Sequence, residues 1–258
     1  MRAPSIFFGH GNPMNAIVDN PYARAWSALG QRMRAPRAVL AVSAHWYVEG
    51  TAVTAMPSPR TIHDFGGFPK ALYRVQYPAA GDPALAARVR ELLAPEVDVA
   101  LDSRWGLDHG TWSVLMHVFP DATVPIVQLS IDETKPPQFH YELGRRLAPL
   151  RDEGVLIAGS GNVVHNLETM VWAESAQPYD WAERFDRRVR ELVAARDHAA
   201  LVDYPSLGAD AMQSIPTPDH YLPLLYVLGA SNDHDSVDFP VEGIDGGSVS
   251  MLAITWGS

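Results

Sequence analysis

A set of short, almost continuously apolar runs, separated by turn residues and amphipathic stretches, constrains this fold more than any other feature. Ser5–Phe8, Ala38–Ala44, Val124–Leu129 and Val155–Ala158 carry few polar side chains. Strands that read this way are covered on both faces, as in a parallel sheet with helices on either side. Thr51–Ala55, Val97–Leu101 and Ser248–Thr255 are further strand candidates. Helical patterns lie between them. Pro83–Leu93 follows Asp82, an N-cap residue with proline at the first helical position. Pro137–Leu150, Trp181–Ala195 and Thr111–Phe119 are also helical, and Phe185, Val189, Leu192 and Val193 share one face of the third pattern. Strand and helix alternate without a repeat or a linker. The pattern predicts an α/β fold: a single domain over residues 1–258 with a mainly parallel central sheet flanked by helices.

Charge and residue usage narrow the function. The chain holds 30 acidic and 20 basic residues, a net charge of −10, and no Lys/Arg run, so no nucleic-acid partner is expected. There is no cysteine, which excludes disulfides, thiolate nucleophiles and sulfur-ligated metals. The start, MRAPSIFFGHGNP, is too short in apolar residues for a signal-peptide core. Tyr221–Leu228 is broken by Pro223 and falls far short of the ~20 residues a bilayer span needs. The expectation is a soluble cytoplasmic protein without a membrane partner, its oligomeric state left open.

Five histidines sit beside these elements with Gly, Pro, Ser or Asn nearby: His10 in SIFFGHGNP, His45 in AVSAHW, His109 in LDHGTW, His165 in GSGNVVHN and His220 in TPDHYLP. Ligands bind outside the carboxyl ends of parallel strands, so histidines there converge in space although far apart in sequence. Several imidazoles in one cleft of a cysteine-free chain suggest a metal site. Each also has a plainer reading. His10 and His45 suit hydrogen-bonded strand ends, His220 a helix cap, and His109 a loop prop whose neighbour Asp108 need not orient it. His117, His140, His198 and His234 read as solvated or core-packed. The GSGN turn at 159–162 lacks the Lys-Ser/Thr of a phosphate loop, and Ser160 lacks the glycine two residues earlier that a G-x-S-x-G nucleophile elbow requires.

Taken in order across nearly the whole chain, GHGNP, SAHW, LDHGTW, GSGNVVHN and TPDHYLPLLY resemble the DOPA 4,5-dioxygenase-type extradiol dioxygenases of the class III, LigB-like superfamily. The resemblance implies a non-haem metal site, with Fe(2+) for turnover and Zn(2+) common as isolated. It also implies insertion of both atoms of O2 into a catechol-type, DOPA-like ring. Carried over position by position, His10, His45 and His220 are the implied metal ligands. His165 is the implied acid/base, and also a candidate fourth ligand; His109 is a second active-site histidine. Wider superfamily members use two histidines and a carboxylate on iron. Here the third position is histidine, and nothing in the sequence singles out Asp219 or Glu242 as a carboxylate ligand.

The irregular segment Met56–Tyr77, with Arg60, His63, Phe65, Phe68, Lys70 and Arg74, reads as a loop bordering the cleft. His63 and Phe65 are the expected substrate contacts. Two other functions fit a histidine cluster on its own: a zinc-dependent hydrolase or lyase, and a metal-binding relative without turnover.

Overall fold

A computed structural model describes residues 2–94, 96–173 and 176–257. Its strands are β1 (Ser5–Gly9), β2 (Ala38–Val48), β3 (Thr51–Thr54), β4 (Val99–Asp102), β5 (Ile126–Asp132), β6 (Val155–Gly161), β7 (Val237–Val241), β8 (Ile244–Asp245), β9 (Val249–Ser250) and β10 (Ala253–Trp256). Its helices are α1 (Pro21–Arg32), α2 (Pro83–Leu93), α3 (His109–Val118), α4 (Pro137–Leu147), α5 (Pro149–Asp152), α6 (Asp180–Ala194), α7 (His198–Val202), α8 (Ala209–Ser214) and α9 (Leu222–Ala230).

Eight strands form one sheet in the order β4-β3-β5-β2-β6-β1-β10-β7. The four middle strands, β5, β2, β6 and β1, are mutually parallel, whereas β3 and β10 run antiparallel to their inner neighbours. Every residue of β1, β5 and β6 is buried, which accounts for their unbroken apolar runs. Two apolar clusters cover the two faces. One joins Leu40, Val42 and Ile157 to Leu85, Leu143, Val189 and Leu224 of the helices; the other joins Ile6, Val39 and Leu156 to Trp26 and Trp112. Helix α9 is buried all round, so the apolar run Tyr221–Leu228 is a core helix. No helix among the described residues is long and apolar enough to cross a membrane.

The structure amends the expected elements in four places. Strand β2 continues past Ala44 to Val48 through a register shift between Val42 and Tyr47, so His45 lies within it. The extra residues of such an irregularity re-aim side chains. Helix α3 begins at His109, which is therefore a first-turn residue capped by Asp108 and not part of a preceding loop. The expected Pro137–Leu150 helix breaks at Pro149, whose ring cannot continue it. Ser248–Thr255 divides into β9 and β10 around Met251–Leu252. Helix α1 and strand β7 lie outside the expected elements; β7 is an edge strand, where Pro240 is tolerated.

One fully buried cation ties the amino-terminal side of the sheet together. Arg151 donates to the carbonyls of Ala3 (2.8 Å), Ala230 (2.8 Å) and Trp256 (3.1 Å) and forks onto Asp235, where one of its bonds is 3.0 Å. Every guanidinium nitrogen is thus engaged. Removing only the carboxylate leaves a buried unpaired charge, so Asp235→Ala should lower stability by about 3–5 kcal/mol in chemical denaturation. A loss below 1 kcal/mol would show that the three carbonyls suffice.

The fold is also sensitive to acid. Burial in α4 lowers the pKa of His140 from its ordinary value of 6.5 to about 4, and its Nδ1 lies 3.0 Å from the Tyr226 hydroxyl. Between these values the unfolded chain binds a proton that the folded chain refuses, so stability falls as pH falls. From pH 7 to 4.5 the parent should lose about 2 kcal/mol more than His140→Gln. Parallel stability–pH curves would contradict this.

Candidate metal centre and active site

The carboxyl ends of the middle strands gather all five histidines. His10 follows β1, and its N–H donates to the Gly161 carbonyl at the end of β6 (3.0 Å). The next N–H, of Asn162, donates to the His220 carbonyl (2.8 Å). A Cβ on Gly161 would lie 2.1 Å from that same carbonyl oxygen, so only glycine allows the turn before α9 to reach the sheet. His165 is fixed through its N–H to the Ser214 carbonyl (2.8 Å) and by a bridge to Val249.

The rings form one assembly. Ring centroids lie 5.0 Å apart for His10–His45, 3.9 Å for His45–His109, 5.2 Å for His10–His220 and 5.1 Å for His45–His220. His165 stacks on His220 at 3.4 Å with an interplanar angle of 5°. One ligand nitrogen from each of His10, His45 and His109 lies within 4.8 Å of the other two. Of the ten histidines in the chain, the other five serve elsewhere. His117 bonds the Asn15 carbonyl, His140 the Tyr226 hydroxyl, His198 the Tyr141 hydroxyl and His63 the Val75 carbonyl, while His234 is exposed.

The outward nitrogens explain the inward ones. His109 Nδ1 donates to Asp64 Oδ2 (2.9 Å), and His109 N–H donates to Asp64 Oδ1 (2.9 Å). His45 Nδ1 lies 3.3 Å from the same Asp64 Oδ2. His220 Nδ1 donates to the carboxylate of Asp219. Ser160 spends its proton on the Gly110 carbonyl (2.5 Å), so its oxygen accepts from His10 Nδ1 (3.0 Å). A hydroxyl beside Nδ1 of His10 and a carboxylate beside Nδ1 of His45 favour the tautomer with the proton there, which leaves lone pairs on Nε2 of both rings. Those of His10 and His45 face one another at 3.2 Å. Burial, together with neighbouring histidines, holds both rings well below their ordinary pKa, so both are neutral at pH 7. Two buried lone pairs at this distance call for a cation between them. Imidazoles oriented in this way, by hydrogen bonds at Nδ1 of His10, His109 and His220 and by Asp64 beside His45, are donors that divalent transition metals take.

The surrounding carboxylates divide into two kinds. Burial alone would raise Asp64 and Asp219, but hydrogen bonds from His109 and from His220 outweigh it and hold both below the usual range. Asp108 differs. Burial and the charge of Asp64 push it up to about 6, against hydrogen bonds from Ser43 and Gln128. It caps α3 through Thr111 N–H (3.2 Å) and does not touch the His109 ring. Sequence reasoning missed Asp64 as the carboxylate shared by two histidines; its signal was an acid inside the aromatic, glycine-rich string IHDFGGFP. Asp219 orients His220, and Glu242 pairs with Arg190 on the surface. Ser160 is committed to His10 and Gly110, which removes it as a nucleophile for His165.

The Met56–Tyr77 segment does border the cluster: Phe65 meets His109 edge-on, centroids 5.5 Å apart. His63 packs on Phe65 and Trp112, one ring further out. Its Nε2 is held within the loop by the Val75 carbonyl (3.0 Å).

Outer partners of ligating histidines set ring orientation, and losing one typically costs 10–100-fold in metal affinity. Asp64→Asn should therefore fold normally yet release metal to a competing chelator at about 10–100-fold lower chelator concentration. Unchanged affinity would leave Asp64 with a purely structural role.

Comparison with known proteins places the chain in a family. Residues 4–246 match the family described as the catalytic LigB subunit of aromatic ring-opening dioxygenase. A protein of Escherichia coli named 4,5-DOPA dioxygenase extradiol is 52% identical over 260 residues, covering 99% of this chain and 95% of the relative. One of the same name from Beta vulgaris is 35% identical, covering 95% and 93%. The crystal structure of an uncharacterised protein from Escherichia coli K12 superposes with a TM-score of 0.85 at 48% identity, covering 99% of this chain and all of that one. The chain belongs to the LigB family and is an extradiol aromatic ring-opening dioxygenase.

Proposed function

We propose that the chain opens the ring of a catechol of the DOPA kind, using Fe(2+) held by His10, His45 and His220, in a single catalytic domain that works in the cytoplasm. The observation that carries this reading is the pair of facing, neutral Nε2 atoms of His10 and His45 at 3.2 Å. His220 approaches that pair from the β6 side with its own carboxylate, Asp219, at Nδ1. Bound iron would supply Lewis acidity toward the two catechol oxygens and a site for O2. Zn(2+) suits the same imidazoles and is expected in protein isolated without added iron.

The remaining roles belong to side chains. His165 is held neutral by burial and by its neighbour His220, and its ring nitrogens have no hydrogen-bond partner among the described residues. A free neutral imidazole takes a proton from a catechol hydroxyl and returns it later in the turnover. His109, with Nδ1 fixed on Asp64, presents Nε2 toward the centre, where it can orient substrate or oxygen by a hydrogen bond. Phe65 lies against His109, where an aromatic substrate ring can pack beside it, and His63 packs on Phe65.

A second assignment has one observation in its favour: His109, not His220, completes the tightest trio with His10 and His45. Metal content decides between them. His220→Ala should strip most of the metal and His109→Ala should retain it; the opposite pattern would give the third position to His109.

Activity is tested by anaerobic loading with Fe(II) and a panel of catechols, including DOPA, read by oxygen uptake. Catechols should consume O2 and produce a new visible absorbance, while a monophenol, which cannot chelate through two oxygens, should not. Equal uptake with phenol, or ester hydrolysis without oxygen, would overturn the reading. His165→Gln should keep metal and lose about 10²–10⁴ in kcat. Complete loss of metal would make it a ligand. Phe65→Ala should raise KM for catechols with metal content intact, and unchanged constants would remove the loop from the substrate site.

A further inference from the structure

One cavity among the described residues lies far from the histidines. It encloses about 560 Å³ between the start of β1, the end of α1, the segment 33–37 leading into β2, the start of β6 and the end of β10. That is the amino-terminal edge of the sheet. Strand β6 runs from beside Gly154, which lines the cavity, to Gly161, which holds His10. At ~3.3 Å per residue this places the two sites on the order of 20 Å apart.

Its lining has two parts. The floor is apolar, with Ile6, Leu29, Met33 and Pro36. Among the described residues the lining also carries four arginines, Arg2, Arg32, Arg34 and Arg37, against one carboxylate, Asp238. This is a concentration of positive charge in a chain of net charge −10. Two of the four have partners outside the lining: Arg2 reaches Asp152 (3.2 Å) and Arg37 reaches Asp82 (3.2 Å). Arg32 and Arg34 have no hydrogen-bond or carboxylate partner among the described residues. The carboxyl end of α1 favours a cation at Arg32, but it does not account for Arg34. A second observation points the same way. Nε of Arg2, a residue of the lining, is buried and has no acceptor among the described residues, so it has a donor left to offer.

We propose that this cavity is a binding site for a small organic carboxylate with an apolar body, separate from the catalytic centre. The volume falls within the ~300–1,000 Å³ of small-molecule sites, which are mostly apolar with a few placed polar groups. The floor takes the apolar body. Planar guanidiniums pair with a carboxylate through two parallel hydrogen bonds, which fixes its orientation. The proposal stands independently of the reading of the histidine cluster.

Dansylglycine, which joins a fluorescent apolar body to one carboxylate, is a suitable probe, and dansylamide is its uncharged counterpart. Dansylglycine should bind the parent with enhanced, blue-shifted emission, and dansylamide at least tenfold more weakly. Arg32→Ala/Arg34→Ala should weaken dansylglycine by tenfold or more and leave the kcat for catechols unchanged, since neither residue is near the histidines. Arg32→Lys/Arg34→Lys should retain part of the affinity, because charge survives without the fork. Equal binding of the two probes, or affinity unaffected by the alanine pair, would overturn the proposal. So would displacement of the probe by catechol, which would put it at the histidine cluster, or by millimolar inorganic phosphate, which would mark a site for a bare anion. Self-association of the parent that excludes the probe and is broken by Arg32→Glu/Arg34→Glu would make the cavity an interface, and would equally overturn it.

Discussion

The active site depends on where four histidines place their protons. His45 and His109 share Asp64, His220 faces Asp219, and His10 donates to Ser160. Each of these partners lies at Nδ1 of its ring, which leaves Nε2 of His10 and His45 to face one another. An imidazole without such a partner could present either nitrogen and would rotate about χ2; with it, tautomer and direction are set together. The resulting convergence of lone pairs is unfavourable for the bare protein. A site of this kind is stabilised by the ion it is built to hold and stores the cost of its assembly in the anchoring hydrogen bonds.

The rest of the fold serves to deliver those anchors. The end of β6 is the hinge point: Gly161 accepts from His10, its neighbour Asn162 donates to His220, and Ser160 bonds the His10 ring. The register shift in β2 turns His45 toward the loop that carries Asp64. Helix α3 opens at His109 because Asp108, itself buried and gripped by Ser43 and Gln128, caps it there. The two carboxylates thereby take separate duties: Asp108 fixes the backbone and Asp64 the ring. At the opposite edge Arg151 binds the start of β1 to the end of α9 and to β10, so the strand that leads to His10 is held at both ends.

Much of this was legible in the sequence. Continuous apolar runs marked β1, β2, β5 and β6 because strands covered on both faces leave no room for alternation, and Asp82-Pro83 marked the start of α2. The five clustered histidines stood out because glycines and prolines flank them, and all five meet. What was not legible came from long-range partnership. Asp64 lies 45 residues from His109, and no spacing rule connects the two. Asp108, the obvious neighbour in sequence, spends its carboxylate on Ser43, Gln128 and the Thr111 N–H instead. The bulge in β2 depends on pairing with β5, and the edge strand β7, half exposed and containing Pro240, lacks the apolar signature that betrays a central strand.

The most direct test is anomalous diffraction at the iron or zinc edge from metal-loaded crystals, which locates the ion and its ligands without reference to activity. The expected result is one ion at the carboxyl ends of β1 and β2, bound by Nε2 of His10, His45 and His220 at ~2.0–2.2 Å, with Nδ1 of each still on its outer partner. An ion coordinated through Nδ1, or one seated away from the His10–His45 pair, would contradict it.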